Sequence, residues 1–247
     1  MTRDPVCGMV LDPRRAGATA EHAGRLYYFC SQDCRSRFLA DPQTFADAGA
    51  GMRLTVGVMG SASDDVSPQM IEKARALGAA IGSRGYALIT GACPGIPYEC
   101  ARGACEAGGL SVGISPALSL DEHVHRYHSP WDAYDVIVYT GSGLMGREVT
   151  NIRSSDMVVI AGGRTGTLGE FAIAYDEGKL IGILEGSGGI VDQIPQIVAQ
   201  VRKATGACVL YEADPATLVG RLSEEYGTRH YRRPSCFCVE PPSVARK

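Results

Sequence analysis

From residue 53 onward, short apolar runs alternate with longer segments in which apolar and polar positions recur at helical spacing. The runs over 54–59, 86–90, 110–114, 135–140, 157–161, 180–184 and 208–211 are largely apolar without strict alternation, as expected of parallel strands buried on both faces. Between them, helices are predicted over 68–82, 98–107, 143–154, 167–178, 194–205 and 215–226. Ser67 and Pro68 supply an N-cap and a first-turn proline for the first of these. Strand and helix in regular alternation predict an α/β protein with an open parallel sheet and helices on both faces. Ligands of such sheets bind outside the carboxyl ends of the strands.

Residues 1–45 have a different texture. They hold three cysteines and the aromatic set Tyr27, Tyr28, Phe29, Phe38 and Phe45. So short a segment buries little surface and calls for a metal, a disulfide or a partner surface. A helix over 32–39 capped by Ser31 would bring Cys30 and Cys34 together at its start, where the dipole favours thiolate. Residues 46–52, small and lacking apolar periodicity, read as a linker. The organisation expected is therefore a cysteine module (1–45), linker (46–52), α/β domain (53–226) and tail (227–247).

Composition narrows the function classes. A net charge of −3 argues against bulk binding to nucleic acid or to an anionic membrane. No apolar run approaches the roughly 20 residues that span a bilayer, and the N-terminus lacks a secretory hydrophobic segment. A cytoplasmic protein is expected. Nine cysteines then favour metal ligation or redox chemistry over a disulfide framework.

Four loops leave strand carboxyl ends with glycines or small residues: Gly60-Ser61, Gly91 to Gly95, the 141–146 loop with Met145, and Gly162-Gly163-Arg164-Thr165-Gly166-Thr167. Strand, glycine turn and helix start make an anion site, because free N–H groups and the helix dipole converge on the turn. No P-loop, G-x-x-x-x-G-K-[ST], is present. Arg147 and Glu170 lie in successive helices. If successive strands are adjacent they can converge on one pocket; otherwise they are a surface ion pair worth little.

The segment from Arg147 to Glu170, with Arg153, Ser155-Asp156, Gly162-Gly163 and Gly166-Thr-Leu-Gly-Glu170, resembles the signature of the Lonely Guy (LOG) phosphoribohydrolases. It also resembles their wider Rossmann-like relatives, the molybdenum-cofactor carriers and DprA-related nucleotide binders. The resemblance implies Arg147 and Glu170 as catalytic residues, a nucleoside 5′-monophosphate such as AMP as substrate, no cofactor for hydrolysis, and a homodimer. It implies free base and ribose 5-phosphate as products. Two positions depart from the family: its proline is Gly162 and its second glycine is Arg164, whose side chain can obstruct a phosphate or add a cation to it. Non-catalytic binding of a nucleotide or molybdenum cofactor is the alternative, and metal handling regulated by a nucleotide is a third.

In the module, Asp4-Pro-Val-Cys-Gly-Met9, Tyr27-Tyr-Phe-Cys-Ser31, Cys34, Phe38, Pro42 and Phe45 resemble the YHS domain, which accompanies heavy-metal handling. Cys7, Cys30 and Cys34 are the candidate ligands, for Zn or Cu(I), with Cys236 or Cys238 of the tail available to complete the set. Metal-free packing of reduced cysteines is the alternative. His22 reads as a solvated hairpin residue. Of the cluster His123, His125 and His128, the last two can share a helical face, but Pro130 and the surrounding composition predict an irregular segment.

Overall fold

The computed structural model describes residues 2–46, 52–63 and 66–226. Cys236, Cys238 and most of the expected linker lie outside the described residues. The module comprises β1 (Thr2–Arg3), β2 (Val10–Leu11), β3 (Ala18–His22), β4 (Arg25–Phe29), α1 (Gln32–Ala40), α2 (Pro42–Phe45) and β5 (Met52–Arg53). Strands β3 and β4 form a hairpin whose two turn residues, Ala23 and Gly24, both take positive φ (49° and 70°). That is the backbone a two-residue hairpin turn demands. β5 adds a third strand, with Met52 opposite Leu26 and Arg53 opposite Arg25.

The twofold period of β4 divides its side chains between two cores. Tyr27 and Phe29 pack with Cys34 and Phe38 inside the module. Leu26 and Tyr28 face the other way and join the core of the large sheet, beside Leu54 and Tyr86. The contact is polar as well. The buried Tyr86 hydroxyl donates to Glu21 Oε1 at 2.7 Å and lies 2.6 Å from Ser223 Oγ.

The main sheet is built from β6 (Thr55–Gly60), β7 (Ala87–Thr90), β8 (Leu110–Ser115), β9 (Val136–Tyr139), β10 (Met157–Ala161), β11 (Leu180–Leu184) and β12 (Cys208–Glu212). All pairings are parallel, in the order β12-β11-β10-β6-β7-β8-β9. The helices are α3 (Pro68–Ser83), α4 (Ile96–Glu106), α5 (Leu120–His125), α6 (Gly143–Arg153), α7 (Thr165–Asp176), α8 (Ile194–Val201) and α9 (Pro215–Glu225). α3, α4 and α9 contribute to one core, with Leu77, Ile81, Cys100 and Leu218. α6, α7 and α8 contribute to a second, with Ile152, Phe171 and Ile194. The sheet is therefore covered on both faces, as predicted.

Ser67 caps α3, its Oγ accepting from Met70 N at 3.3 Å, with Pro68 in the first turn as expected. Three expectations are corrected. α8 ends at Val201 rather than at 205, because Arg202 turns left-handed (φ 49°). α7 begins at Thr165, two positions before the predicted start. The histidine segment is irregular only from residue 126: Ser119 Oγ accepts from Glu122 N at 3.2 Å and starts α5, which ends at His125, while His128 turns left-handed (φ 49°) outside any helix. None of the helices among the described residues is long and apolar enough to cross a membrane.

Candidate functional site

β6 and β10 are neighbours, yet the chain leaves them in opposite directions, to β7 on one side and β11 on the other. The loops after them therefore diverge and open a crevice at the carboxyl edge, the place where open sheets bind ligands. The crevice depends on glycine. A Cβ on Gly60 would stand 2.6 Å from the Ala161 carbonyl oxygen. Gly162 and Gly163 take φ of 59° and 85°. Proline, fixed near −65°, cannot take the first of these, so this turn differs in backbone from one that begins with proline.

The turn is braced from behind. Gly162 donates to Ser187 Oγ at 2.8 Å, and the Gly163 carbonyl accepts from Ile190 N at 2.9 Å. The Gly162 amide is thus already engaged within the protein, whereas the start of α7 is not. Arg164 precedes that helix without any side-chain cap, so the first-turn N–H groups receive no side-chain acceptor there.

Arg147 and Glu170 line the same cavity, of about 190 Å³. The condition under which the sequence brought them together does not hold, because β9 lies at the sheet edge and three strands, β8, β7 and β6, separate it from β10. α6 makes the crossing back and packs on α7, which produces the convergence by another route. Both side chains are buried, at 8% and 7% exposure, so a surface ion pair is excluded. Arg147 rests against Gly91, its Nη2 is 3.9 Å from Cys93 Sγ, and its Nε has no hydrogen-bond partner.

Burial raises the Glu170 pKa to about 7; Arg147 opposes the rise, Glu148 adds to it and Asn151 opposes it. Asn151 stands close enough to influence the carboxyl, though neither of its own amide atoms completes a hydrogen bond of normal geometry. A buried acid, a buried cation and orphaned polar atoms around one cavity mark a place where a polar ligand completes the set.

Of the other predicted positions, Gly60, Ser61, Gly91, Arg164, Gly166 and Thr167 line this cavity. Gly162, Gly163 and again Ser61 and Arg164 line an adjoining one of about 290 Å³. Gly95 (φ 75°) lines a third and holds the start of α4 against the β6 loop, where Ile96 N donates to Ser61 O at 3.0 Å. Thr165 lines none of these three, and Met145 is 79% exposed and away from them. Glu148, the sequence neighbour of Arg147, also lines the cavity. Its carboxylate lies over Gly166 and Gly169 of α7, where an added Cβ would meet it in ordinary contact at 3.6 and 3.4 Å. Asn151 could have been found from its i+4 spacing to Arg147.

In the module, Cys30 Sγ is 3.6 Å from both Cys7 Sγ and Cys34 Sγ. Metal–thiolate bonds of about 2.3 Å at tetrahedral angles put sulfurs about 3.8 Å apart, so the three thiols fit one ion. The Asp4 carboxylate joins them within 4.8 Å. It already accepts from Val6 N and Cys30 N at 2.8 Å and from Cys7 N at 3.3 Å. Burial pushes the Asp4 pKa up, but those amides outweigh it and hold it at about 2. Asp4 thus folds the thiol loops around a fixed negative charge, a role the sequence reading missed although the residue stands in its motif. Ser31 caps α1 as predicted, accepting from Cys34 N at 3.2 Å.

The histidines do not gather. His125 faces Asp121 at 3.7 Å on an exposed surface. His123 is fully buried between Ser115 Oγ (2.8 Å) and the Pro130 carbonyl (3.0 Å). A carbonyl only accepts, so Nε2 carries a proton and the ring pins the loop after α5. His22 stands edge-on to Phe38 at 6.0 Å.

Fold and crevice define a Rossmann-like α/β protein carrying a small thiol-rich module. The chain belongs to the SLOG cluster4 family, whose profile matches residues 53–219, and residues 2–48 match the YHS domain. Over 129 residues the chain is 33% identical to a cytokinin riboside 5′-monophosphate phosphoribohydrolase of Mycobacterium marinum, covering 52% of this chain and 65% of that one. The module is 44% identical over 48 residues to a copper-transporting P-type ATPase of Rhizobium leguminosarum bv. viciae, covering 19% of this chain and only 6% of that protein. Among solved structures, the molybdenum cofactor carrier protein of Chlamydomonas reinhardtii is similar at 28% identity and a TM-score of 0.57, over 69% of this chain and 97% of its own. The molybdenum cofactor binding protein of Rippkaea orientalis matches at 26% identity and the same TM-score, over 69% of this chain and 96% of its own.

Proposed function

We propose that the α/β domain is a nucleoside 5′-monophosphate phosphoribohydrolase. The observation that carries this reading is the convergence of buried Glu170 and Arg147 on one cavity beside the glycine turn. The 5′-phosphate would sit at the start of α7, on the first-turn amides and the Arg164 guanidinium. The ribose would then lie toward Glu170. Cleavage breaks the bond from C1′ to the base nitrogen, a water oxygen bonds to C1′, and a proton passes to the departing base. The oxocarbenium-like sugar gains positive charge as the bond breaks, and an ionised Glu170 held in a water-poor cavity stabilises it. Arg147 holds the phosphate or the base side. The partial likeness to a named phosphoribohydrolase supports this. Free adenine measured after incubation with AMP tests it: turnover sustains the reading, and binding without adenine release ends it.

Binding without cleavage is the second reading. The likeness to carrier proteins across almost their whole length favours it, as does a turn that a proline-bearing loop cannot adopt. For the module, the thiol geometry supports a soft ion, Cu(I) or Zn, held by Cys7, Cys30 and Cys34. A homodimer is proposed from the family resemblance. The Tyr86–Glu21 contact offers a path by which ligand in one half can influence metal in the other.

A further inference from the structure

The Arg147–Glu170 cavity is one of three that run along the carboxyl edge of the sheet and share walls. It meets the glycine-turn cavity at Ser61 and Arg164. The glycine-turn cavity in turn meets a third at Ser63 and Val66. The third, of about 710 Å³, lies between the beginnings of α3 and α4 and the segment after α5. It is the largest of the three and the most aromatic: Tyr98, His128 and Trp131 face it, with Val66 and Val124 apolar beside them. Its walls are fastened. The Tyr98 hydroxyl donates to Asp132 Oδ1 at 3.0 Å, and the buried His123 holds the Pro130 carbonyl next to Trp131. Trp131 remains 54% exposed, a large ring fixed at the mouth with nothing stacked on it among the described residues.

The sizes are informative. Sites that enclose a whole small ligand measure about 300–1,000 Å³. The Arg147–Glu170 cavity falls below that range and the aromatic one inside it. A mononucleotide seated at Glu170 and the glycine turn would leave the aromatic cleft empty, although that cleft joins the glycine-turn cavity at Ser63 and Val66. Arg164 stands at the junction, exposed and lining both of the first two cavities. From there its guanidinium can meet phosphate oxygens on either side of the junction, so a chain of two phosphates can pass it from one cavity to the next.

We infer that the ligand is a pyrophosphate-bridged dinucleotide spanning the three cavities. One ribose lies at Arg147 and Glu170, the bridge lies at the start of α7 and Arg164, and the second heteroaromatic ring lies against Tyr98 and Trp131. This rests on the phosphate and ribose placement proposed above and extends it past the phosphate.

Trp131 is the chain's one tryptophan, so intrinsic fluorescence of the full protein reports on the aromatic cleft alone. The experiment titrates the full chain with AMP, with ADP-ribose (which has the bridge but no second ring) and with nicotinamide adenine dinucleotide, by calorimetry and by tryptophan emission. The expected result is that the dinucleotide binds at least about tenfold more tightly than AMP through ring stacking and changes the emission. AMP and ADP-ribose bind with the emission unaltered. In Trp131→Ala, the advantage of the dinucleotide over AMP disappears. AMP binding together with a dinucleotide that is no tighter and leaves the emission silent overturns this inference while sparing the mononucleotide reading. Failure of every ligand to bind overturns both. A dinucleotide that changes the emission while AMP fails to bind supports the aromatic subsite and removes the mononucleotide substrate.

Discussion

The Arg147 guanidinium lies against the Cα of Gly91, in space that a Cβ on Gly91 would occupy. What would have to move is the flexible end of a side chain rather than backbone. Gly91→Ala therefore disturbs the site more than the fold. The expected outcome is a loss of AMP affinity of about tenfold or more, with thermal stability changed by under about 1 kcal/mol. Calorimetry beside a melting curve checks it, and unaltered affinity would detach Arg147 from ligand binding.

Glu170 links stability to pH. Its folded pKa is raised from 4.5 to about 7, first by burial, so the folded chain keeps a proton that the unfolded chain releases. The stabilising contribution is present below about pH 4.5 and is lost as pH rises through about 7. At about 1.4 kcal/mol per unit, the difference approaches roughly 3 kcal/mol above pH 8. Glu170→Gln, which cannot ionise, should then be more stable than the native protein at pH 8 and indistinguishable at pH 4.5, by urea denaturation. The same variant should bind AMP and release no adenine. Native adenine release should rise as pH passes through 7, because only the ionised acid stabilises the cationic sugar.

Cys30 sits between the other two thiols, so its loss leaves two separated donors. Protein purified without chelator should carry close to one equivalent of Zn or copper, and Cys30→Ser should carry almost none by elemental analysis. Cys105→Ser, an exposed cysteine outside the cluster, should behave like the native protein.

Tyr86 joins the two halves. Removing its hydroxyl leaves Glu21 without that donor in a partly buried setting. Tyr86→Phe should cost about 1–2 kcal/mol. If the halves communicate through this contact, the variant also loses any shift in metal affinity caused by AMP. Native-like stability in guanidinium would mean that the contact is incidental.

The proposed dimer has a candidate face. Leu144 (59% exposed) and Met145 (79%) start α6, while Val136 and Val138 are exposed on edge strand β9. Edges and patches of this kind call for cover. Replacing Leu144 and Met145 by glutamate should halve the mass seen by light scattering, and an undiminished mass would move the interface elsewhere.

Much of this protein was legible in the chain because it is local. Apolar runs and helical periods are set within ten or so residues, and so are the caps at Ser31 and Ser67. The glycines at strand ends are local too, since a tight turn with positive φ selects them wherever the strand is placed. The three thiols could be grouped because Cys30 and Cys34 share the start of one helix.

What only the tertiary structure decided depends on strand order. Nothing near Arg147 states that β9 is an edge strand, or that α6 must cross three strands before β10 can pair with β6. That crossing, and not strand adjacency, brings Arg147 to Glu170. It also makes Glu148, the next residue in the chain, a wall of the cavity. Asp4 reaches Cys30 across 26 residues of chain, and Met52 reaches Leu26 across as many, through pairings that hydrophobic period cannot specify. Such contacts are chosen by which buried faces fit together once the chain is compact, and that choice is global.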